Sequence, residues 1–422
     1  MTSVGHPVGR WLVHDYSGHP FQAELSRSLA RRGHEVLHVH CGSYQTGKGS
    51  LERGAGDPVG LRFETIDLGT SFDRYSVGSR LRQELRYGRL FNLAAAAYRP
   101  DVILSANEPL LSKIRTTLWC LRTRTPWVFW LQDIYSEAMA RYAVNRMGRP
   151  GALIGAVFKA VERRLLHAAS AVVMITEDFG PTLDRWRIPA CRRHVIENWA
   201  PLAELSSRPK DNAWARQHDL GEARVVLYSG TLGLKHDPAP LLALAEDWGS
   251  VPDVRLVVVS EGKGADWLLE EQRRRGIGNL LVLPYQPYEM LSEVLATADV
   301  LVALLSSEAG AFSVPSKILS YLCAGRPILA ALPEANLGAR IIERAGAGIV
   351  VAPGDVEAFL AAGARLLGDV ELRQRSGASA RAYAEAHFDI ESVTTRFESV
   401  LWHAARPLTR GTARAGGTAE AR

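Results

Sequence analysis

The chain has 422 residues, of which 47% are hydrophobic and 23% are charged, and its mean hydropathy is −0.06. These ordinary globular values exclude disorder, collagen and coiled coil as descriptions of the whole chain. At roughly 150 residues per domain, the length predicts two or three domains. The formal net charge of +5 is too mild over this length to indicate a nucleic-acid protein, so no nucleic-acid partner is expected.

Cysteine spacing and apolar runs indicate a protein of a reducing compartment. The four cysteines lie far apart, with neither a Cys-x-x-Cys pair nor a histidine cluster beside them, so neither a disulfide scaffold nor a zinc site is predicted. No apolar run reaches the roughly 18 residues of a membrane span. Residues 1–10 carry no apolar signal segment. We therefore expect a cytoplasmic protein, peripheral at most to the inner face of the cell membrane.

The first part of the chain alternates apolar runs of strand length with segments of helical period. It opens with a strand, a Ser-Gly-His-Pro turn, a helix whose buried stripe is Phe21, Leu25 and Leu29, and a second strand. Strands joined through a helix in this way lie parallel. In chain order, the strands predicted here are 11–14, 36–40, 102–105, 127–132 and 171–175.

The composition becomes polar and helix-breaking at 206–222, which predicts an interdomain linker. A second α/β series follows, with strands apolar enough for a parallel sheet that is covered on both faces. Its predicted strands are 225–228, 255–260, 280–283, 300–304, 328–331 and 349–351. The predicted fold class is therefore α/β with two Rossmann-like domains. Its parts are a first domain at 1–205, the linker, a second domain at 223–388, a returning helix at 389–405 and a disordered tail at 406–422.

The turn after the strand at 225–228 has the composition of an anion site. Gly230 and Gly233 leave backbone amides free to point at an anion, and Lys235 adds a mobile cation. This set suits a diphosphate, and the alternative is a glycine turn with a solvated lysine. The Walker pattern GxxxxGK[ST] is absent, and no GxGxxG occurs at the N-terminus.

A second cluster follows the strand at 300–304. A small, polar loop containing Glu308 leads to Pro315-Ser316-Lys317, which opens a helix whose first turn exposes amides and a hydroxyl beside an ammonium group. Gly325 caps that helix. We interpret the segment as a second anion site in the same domain, with a capped structural helix as the alternative.

With these segments the chain resembles a family 4 glycosyltransferase of the GT-B fold over nearly all of its length. The resemblance rests on 31–36, 196–199, 229–235 and 315–330. The Pro-Ser-Lys form, together with 132–135, is most similar to the subgroup that makes bacterial surface polysaccharides, including N-acetylfucosamine-type transferases.

The resemblance implies two domains that face each other across a cleft, the first binding the acceptor and the second binding a nucleotide sugar. It further implies a retaining transfer from a nucleoside-diphosphate donor, UDP above all, to a hydroxyl of a glycan or of a polyprenyl-diphosphate-linked sugar. The product would serve bacterial cell-surface or exopolysaccharide synthesis. Since no DxD pair follows a strand of the second domain, neither a metal nor another cofactor is expected.

The resemblance also predicts site residues. The predicted catalytic residues are Asp133, Lys235 and Glu308, of which Glu308 matches neither family glutamate and would reach the donor from an earlier point in its loop. The implied donor-binding residues are Ser229, Gly230, Thr231, Gly233, Lys235, Glu261, Tyr285, Ser316, Lys317 and Ser320. In the first domain, Asp133 and Glu137 would position the transferred sugar, while Gly18 and His19 would contact the acceptor. The alternatives are an acidic pair that satisfies a helix dipole and, for His19, a simple turn residue.

The sequence departs from the family pattern at three positions. Family members usually carry two glutamates eight positions apart, and here these positions hold Phe312 and Ser320. A serine hydroxyl can still bond a ribose hydroxyl, although more weakly than a carboxylate. An arginine often found directly after the phosphate-loop glycine is here Thr231, which leaves Lys235 and Lys317 to neutralise the diphosphate.

A basic run in the first domain predicts contact with an anionic membrane surface, and the alternative is a solvated surface. Each basic residue near such a membrane contributes about 1 kcal/mol. The basic residues are Arg80, Arg82, Arg86, Arg89, Lys113, Arg115, Arg122 and Arg124, and the apolar residues between them are Leu81, Leu85, Tyr87, Leu90 and Phe91.

Two other functions remain open from the sequence. UDP-N-acetylhexosamine 2-epimerases share the two-domain architecture, but they need acid and base side chains that are scarce after the strands of the second domain. A non-catalytic GT-B partner subunit is the other, because both family glutamates are missing.

Overall fold

The structure is a computed structural model that describes residues 8–43, 49–69, 77–233, 236–307 and 315–405. The predicted disordered tail at 406–422 lies outside these residues. The strands are β1 (Arg10–Asp15), β2 (Glu35–Cys41), β3 (Leu61–Ile66), β4 (Val102–Ala106), β5 (Trp127–Leu131), β6 (Ala171–Met174), β7 (Arg193–Val195), β8 (Arg224–Ser229), β9 (Val254–Val259), β10 (Leu280–Leu283), β11 (Val300–Leu304), β12 (Ile328–Ala331) and β13 (Gly348–Val351).

The helices alternate with these strands along the chain. They are α1 (Pro20–Arg31), α2 (Val77–Tyr98), α3 (Leu110–Thr123), α4 (Tyr135–Met147), α5 (Arg149–Ala168), α6 (Gly180–Arg185), α7 (Ala213–Gln217), α8 (Ala239–Asp247), α9 (Lys263–Arg275), α10 (Leu291–Ala296), α11 (Ser316–Ala324), α12 (Leu337–Ala345), α13 (Val356–Gly368), α14 (Val370–His387) and α15 (Ile390–Ala405). Among the described residues, no helix is long and apolar enough to cross a membrane.

The strands form two sheets, and every pair within them is parallel. The first sheet has seven strands in the order β3-β2-β1-β4-β5-β6-β7. The second has six strands in the order β10-β9-β8-β11-β12-β13. The predicted α/β class with two Rossmann-like domains is therefore confirmed.

Two strands of the first sheet were not predicted, and both lie at its edges. The residues of β3 do not alternate regularly between buried and exposed, and Arg62 and Glu64 are exposed. This strand therefore has no continuous apolar run. β7 has three residues, which is too short for a periodic signal. Central strands such as β5 are buried on both faces and are therefore the ones that a sequence pattern reveals.

The segment at 206–222 is packed against the second domain despite its polar composition. Asn212 caps α7 by accepting a hydrogen bond from the amide of Ala215, and its own amide donates to the hydroxyl of Thr297. Trp214 is fully buried, and its indole N–H donates to Gln286 over 3.0 Å. One continuous apolar cluster therefore extends from the first sheet through Trp199 and Trp214 into the second sheet.

The last helix, α15, returns to the first domain as predicted. Arg32 at the end of α1 bonds Glu391 over 2.8 Å and Glu398 over 2.7 Å. Beneath these ion pairs, the buried ring of Phe397 lies 4.5 Å from the ring of Trp130, centroid to centroid. The helix therefore joins the end of the second domain to the core of the first.

The replacement Phe397→Ala tests this anchoring. Removing a fully buried phenyl ring typically lowers the free energy of unfolding by about 3–5 kcal/mol. We expect a loss of this size in urea denaturation followed by tryptophan fluorescence. As a control, Leu93→Ala truncates an exposed side chain and should stay within about 0.5 kcal/mol of the parent. Equal midpoints for Phe397→Ala and the parent would contradict the anchoring role of α15.

Candidate functional site

Each sheet has one point at which the strand order reverses. In the first sheet this point lies between β1 and β4, and in the second it lies between β8 and β11. Helices leave such neighbouring strands toward opposite faces, which opens a crevice beyond their carboxyl ends. The segments after Asp15, Ala106, Ser229 and Leu304 therefore form the two candidate binding crevices.

The crevice of the first sheet is organised around the buried carboxylate of Asp15. That carboxylate accepts hydrogen bonds from the backbone amides of Ser17, over 3.1 Å, and His19. It also lies 3.3 Å from Nδ1 of His19 and 3.4 Å from the amide nitrogen of Asn107, which follows β4. Gly18 adopts φ 77, a left-handed conformation that glycine accepts most readily.

Charge at this crevice is shared between His19 and two carboxylates. Burial lowers the pKa of His19, but the carboxylates of Asp15 and, more weakly, Asp133 outweigh it and leave that pKa above its usual value. Burial likewise opposes ionisation of Asp15, yet the charge and hydrogen bonds of His19 hold its pKa below the usual range. Both shifts favour the imidazolium–carboxylate form of this pair over the form in which both groups are neutral. Nε2 of His19 has no hydrogen-bond partner among the described residues, and the side chain is 28% exposed.

Asp133 and Glu137 separate in the structure although they lie four residues apart. Asp133 follows β5 and acts electrostatically on His19 across the crevice. Glu137 lies in the first turn of α4, and its carboxylate is 2.8 Å from the ammonium of Lys159 on α5. The structure thus brings together Gly18, His19 and Asp133, while Glu137 forms an ion pair between two helices.

A buried polar network lies beneath this crevice, and no sequence motif indicated it. The carboxylate of Glu108 accepts hydrogen bonds from the hydroxyls of Ser112 over 2.6 Å, Thr116 over 2.7 Å and Ser105 over 3.1 Å. His14 lies between Ser105 and the hydroxyl of Tyr87, at 3.0 and 2.9 Å. Burial lowers the pKa of His14 to about 3, so this imidazole is neutral. The network fixes the ends of β1 and β4 relative to each other.

The crevice of the second sheet begins with the loop after β8. Gly230 has φ 133, and a Cβ there would lie 3.2 Å from Cε of Lys317, so a glycine lets the lysine approach. The amide of Gly230 bonds Val259 and that of Leu232 bonds Ser260. The amides of Thr231 and Gly233 make no hydrogen bond with any described residue.

Helix α11 is tied to this loop by Tyr321. Its hydroxyl accepts a hydrogen bond from the amide of Ser229 over 3.0 Å and donates one to the carbonyl of the same residue over 3.1 Å. The first turn of α11, with exposed Ser316 and with Lys317, therefore lies beside the loop. Ser320, one turn further along, is half-buried.

Lys317 is a cation without a carboxylate partner among the described residues. Its ammonium donates a hydrogen bond to the hydroxyl of Tyr228 and lies 3.8 Å from the centre of that ring. Burial lowers the pKa of Lys317 to about 7. An anion placed here would meet the ammonium, the amides of Thr231 and Gly233, and the N-terminus of α11.

Three further donor-site candidates lie together at the ends of neighbouring strands. The hydroxyls of Thr231 and Tyr285 are 2.8 Å apart, and the amide of Tyr285 donates to the carboxylate of Glu261 over 3.1 Å. Lys235 and Glu308, both predicted as catalytic residues, lie outside the described residues. Within the described residues, no group of three or more His, Cys, Asp or Glu side chains is placed to hold a metal ion.

The basic run at 80–124 differs from the amphipathic surface expected of it. Tyr87 and Phe91 are fully buried in the core of the first domain, and Lys113 is buried with its ammonium 3.8 Å from the centre of the Phe129 ring. The expectation of a surface position was wrong for these three residues, because α2 and α3 pack against the sheet on those faces. Leu81 and Leu85 are exposed.

Two family models match the chain. One, described as a glycosyl transferase 4-like domain, matches residues 19–199, and the other, described as glycosyl transferases group 1, matches residues 223–369. Between them they cover most of the chain. The second contains the segments after β8 and β11, and the first begins at His19, four residues after Asp15.

Individual proteins are also similar. The chain is 25% identical over 309 residues, 72% of its length and 74% of the relative, to WcaI of Escherichia coli (strain K12), a glycosyl transferase assigned to colanic acid biosynthesis. It is 26% identical over 290 residues, 66% of its length and 68% of the relative, to WbjE of Pseudomonas aeruginosa, a probable glycosyltransferase. The crystal structure of Anabaena Alr3699/HepE in complex with UDP and glucose superposes with a TM-score of 0.67 and 17% identity, over 93% of this chain and 99% of that one.

The replacement Asp15→Asn tests the charge balance of the first crevice. Loss of the carboxylate removes the main influence that raises the pKa of His19, so that pKa should fall below the value in the parent protein. The pH titration of the His19 ring protons by NMR measures the change. Asp101→Asn, an exposed carboxylate that bonds the amide of Arg10 at the opposite end of β1, serves as the control and should leave the titration unchanged. An unaltered His19 titration in Asp15→Asn would refute the pairing.

Proposed function

Because the chain belongs to the GT-B glycosyltransferases of the family 4 type, we propose that it is a retaining enzyme that transfers a sugar from a UDP donor. The acceptor is a hydroxyl of a glycan or of a polyprenyl-diphosphate-linked sugar, and the product belongs to a bacterial surface polysaccharide. Relatives support this proposal, since WcaI is assigned to colanic acid biosynthesis and HepE was crystallised with UDP and glucose.

One observation carries the proposal: the ammonium of Lys317, which has no carboxylate partner among the described residues, lies beside the amides of Thr231 and Gly233 and a helix N-terminus. A diphosphate is the part of a nucleotide sugar that needs such partners, because its charge grows as the glycosidic bond breaks. Fixed donors that face the developing charge stabilise the transition state more than the ground state. Lys235, assigned from the sequence, adds a second cation, and with fixed cations in place the transfer needs no metal.

The proposed step conserves the anomeric configuration. The bond between the anomeric carbon and the β-phosphate oxygen breaks, and its electron pair stays on that oxygen. The acceptor oxygen forms its bond to the same carbon from the face that the UDP leaves, and its proton passes to the departing phosphate oxygen.

The first domain supplies the acceptor side of the cleft. In its protonated form, which the carboxylate of Asp15 favours, His19 donates from both ring nitrogens and suits a sugar hydroxyl oxygen or a phosphate. The carboxylate of Asp133 accepts from a sugar hydroxyl and orients the transferred sugar. Glu308, from its place in the loop after β11, is proposed to reach the donor sugar as well.

A donor panel tests the proposal. The purified protein is incubated with UDP-, GDP- and dTDP-sugars, and we expect UDP-sugars to raise its melting temperature. A ligand at 100 times its Kd adds about 2.7 kcal/mol to the stability of the folded protein. With a UDP-sugar and an acceptor, we expect UDP release that survives EDTA and a product whose anomeric proton signals show retention.

The same assay separates the other functions. Formation of an epimer without an acceptor would identify an isomerase, and the absence of any nucleotide binding would favour a non-catalytic subunit. Activity that EDTA abolishes and magnesium restores would contradict the metal-independent step.

The replacement Lys317→Ala tests the diphosphate site. Loss of one charge-assisted donor costs about 1.5–3 kcal/mol, so calorimetry at pH 6.5 should show UDP binding weakened by one to two orders of magnitude, at about 1.4 kcal/mol per tenfold. Lys235→Ala should act in the same direction. Arg365→Ala, which removes an exposed cation from α13, is the control and should bind UDP as the parent does.

The pH dependence gives the Lys317 test a second readout. Since burial holds the pKa of this ammonium at about 7, the free protein loses the charge as the pH rises above 7, and binding must then take up a proton. UDP affinity should therefore fall above pH 7 in the parent. It should fall less in Lys317→Arg, because a guanidinium stays charged. The same affinity in Lys317→Ala and the parent would refute the site.

A further inference from the structure

An open pocket of about 590 Å³ lies on the first domain, away from both crevices. It is formed by the end of α5, by α6 and by the turn after α6. Its lining is basic apart from one indole ring. The lining residues are Arg163, Arg164, His167, Arg185, Trp186 and Arg187.

The arginines of this pocket lack anionic partners. Arg163, Arg164 and Arg187 make no ion pair or side-chain hydrogen bond with any described residue, and Arg185 donates only to the neutral hydroxyl of Thr182. The neighbouring carboxylate of Asp184 is engaged by Arg193 over 2.5 Å. Cationic side chains that lie close together without a counter-ion repel one another. An anion bound in this pocket would relieve that repulsion.

The position of the pocket excludes a direct part in sugar transfer. Helix α5 leads into the amino-terminal end of β6, and the turn after α6 leads toward the amino-terminal end of β7. Both crevices lie instead beyond the carboxyl ends of the strands. The pocket is therefore at the opposite edge of the same sheet.

An exposed apolar stripe runs along α5 toward the pocket. Leu153 is 70% exposed, Val157 is 57% exposed, and Ile154 lies beside them at 37%. At 3.6 residues per turn, Leu153, Val157 and Arg164 fall within about 40° of one another around the helix. With a rise of 1.5 Å per residue, the surface from Leu153 to His167 is about 21 Å long.

Gly151 and Gly155 lie on the opposite face of α5, where they pack against Ala143 and Ala140 of α4, so the stripe faces away from α4. Exposed apolar side chains grouped on one helix face mark an interaction surface.

We propose that the α5 surface, defined by Leu153, Ile154, Val157 and the arginine pocket, docks the protein on an anionic phospholipid bilayer. A lipid phosphate occupies the pocket, and the apolar side chains enter the boundary between headgroups and acyl chains. A soluble polyanion would match the arginines but would leave the stripe exposed to water. A bilayer surface offers phosphates and apolar chains together, which matches both halves of this helix face.

Vesicle co-sedimentation tests the proposal. The full chain is mixed with vesicles of phosphatidylcholine alone or with 30% phosphatidylglycerol in about 50 mM salt. We expect at least about tenfold stronger partition onto the anionic vesicles, and weaker binding at about 0.5 M salt, because salt screens the charges. A parent protein that does not prefer anionic vesicles overturns the proposal.

Matched variants locate the surface. The triple variant Arg163→Glu, Arg164→Glu, Arg187→Glu should lose at least about tenfold in partition and still bind UDP. The control Arg273→Glu, Arg365→Glu, Arg375→Glu makes the same charge change at exposed positions of the second domain and should partition within about twofold of the parent. An equal loss in this control would show that net charge alone drives the binding, which overturns the assigned surface.

A third variant separates a lipid from a free anion. Leu153→Ser, Val157→Ser keeps every arginine, so it should lose vesicle binding while keeping any affinity for inorganic phosphate, measured by calorimetry. Full vesicle binding by this variant would overturn the role of the stripe. Because UDP binding is measured on the same proteins, failure of the docking surface is distinguishable from failure of the proposed transfer.

Discussion

The ammonium of Lys317, which has no carboxylate partner among the described residues, is the feature on which the site of the second domain depends. The protein holds Lys317 against the ring of Tyr228, where burial brings its pKa down to about 7. That arrangement needs a glycine at Gly230 to admit the side chain, and Tyr321 to tie α11 to the loop. A bound diphosphate supplies a counter-charge that favours the ammonium form, so binding should raise the pKa of Lys317.

The crevice of the first domain has the opposite charge pattern. Two carboxylates, Asp15 and Asp133, act on the imidazole of His19, and the buried hydrogen bonds of His14, Ser105 and Glu108 keep the strands beneath them in register. The cationic site of the second domain suits the diphosphate of the donor. The site of the first domain suits a hydroxyl of the acceptor, so each sheet would bind one of the two substrates. Helix α15 joins the domains through Arg32 and Phe397. Phe397 packs on Trp130, three residues before Asp133, so the position of this helix also affects the first crevice.

Features that depend on one short segment could be predicted from the sequence, whereas features that depend on contacts between distant segments could not. The glycine loop after β8 and the Pro-Ser-Lys start of α11 were predicted because each is a short motif on one segment. Asp15 and Glu108 were missed because their role arises when β1 and β4 become neighbours, and His14 and Ser105 are 91 positions apart in the chain. Phe91 was misplaced because an apolar residue between arginines has the same pattern on a surface helix as on a packed one.

Hydrogen exchange measured by mass spectrometry with and without UDP tests the central claim most directly. Saturating UDP should slow amide exchange in the loop at 229–233 and in the first turns of α11, because the ligand bonds the loop amides and holds α11 against the loop. Exchange at 15–19 should remain as in the free protein. Unchanged exchange in both second-domain segments, or protection confined to the first domain, would contradict the account.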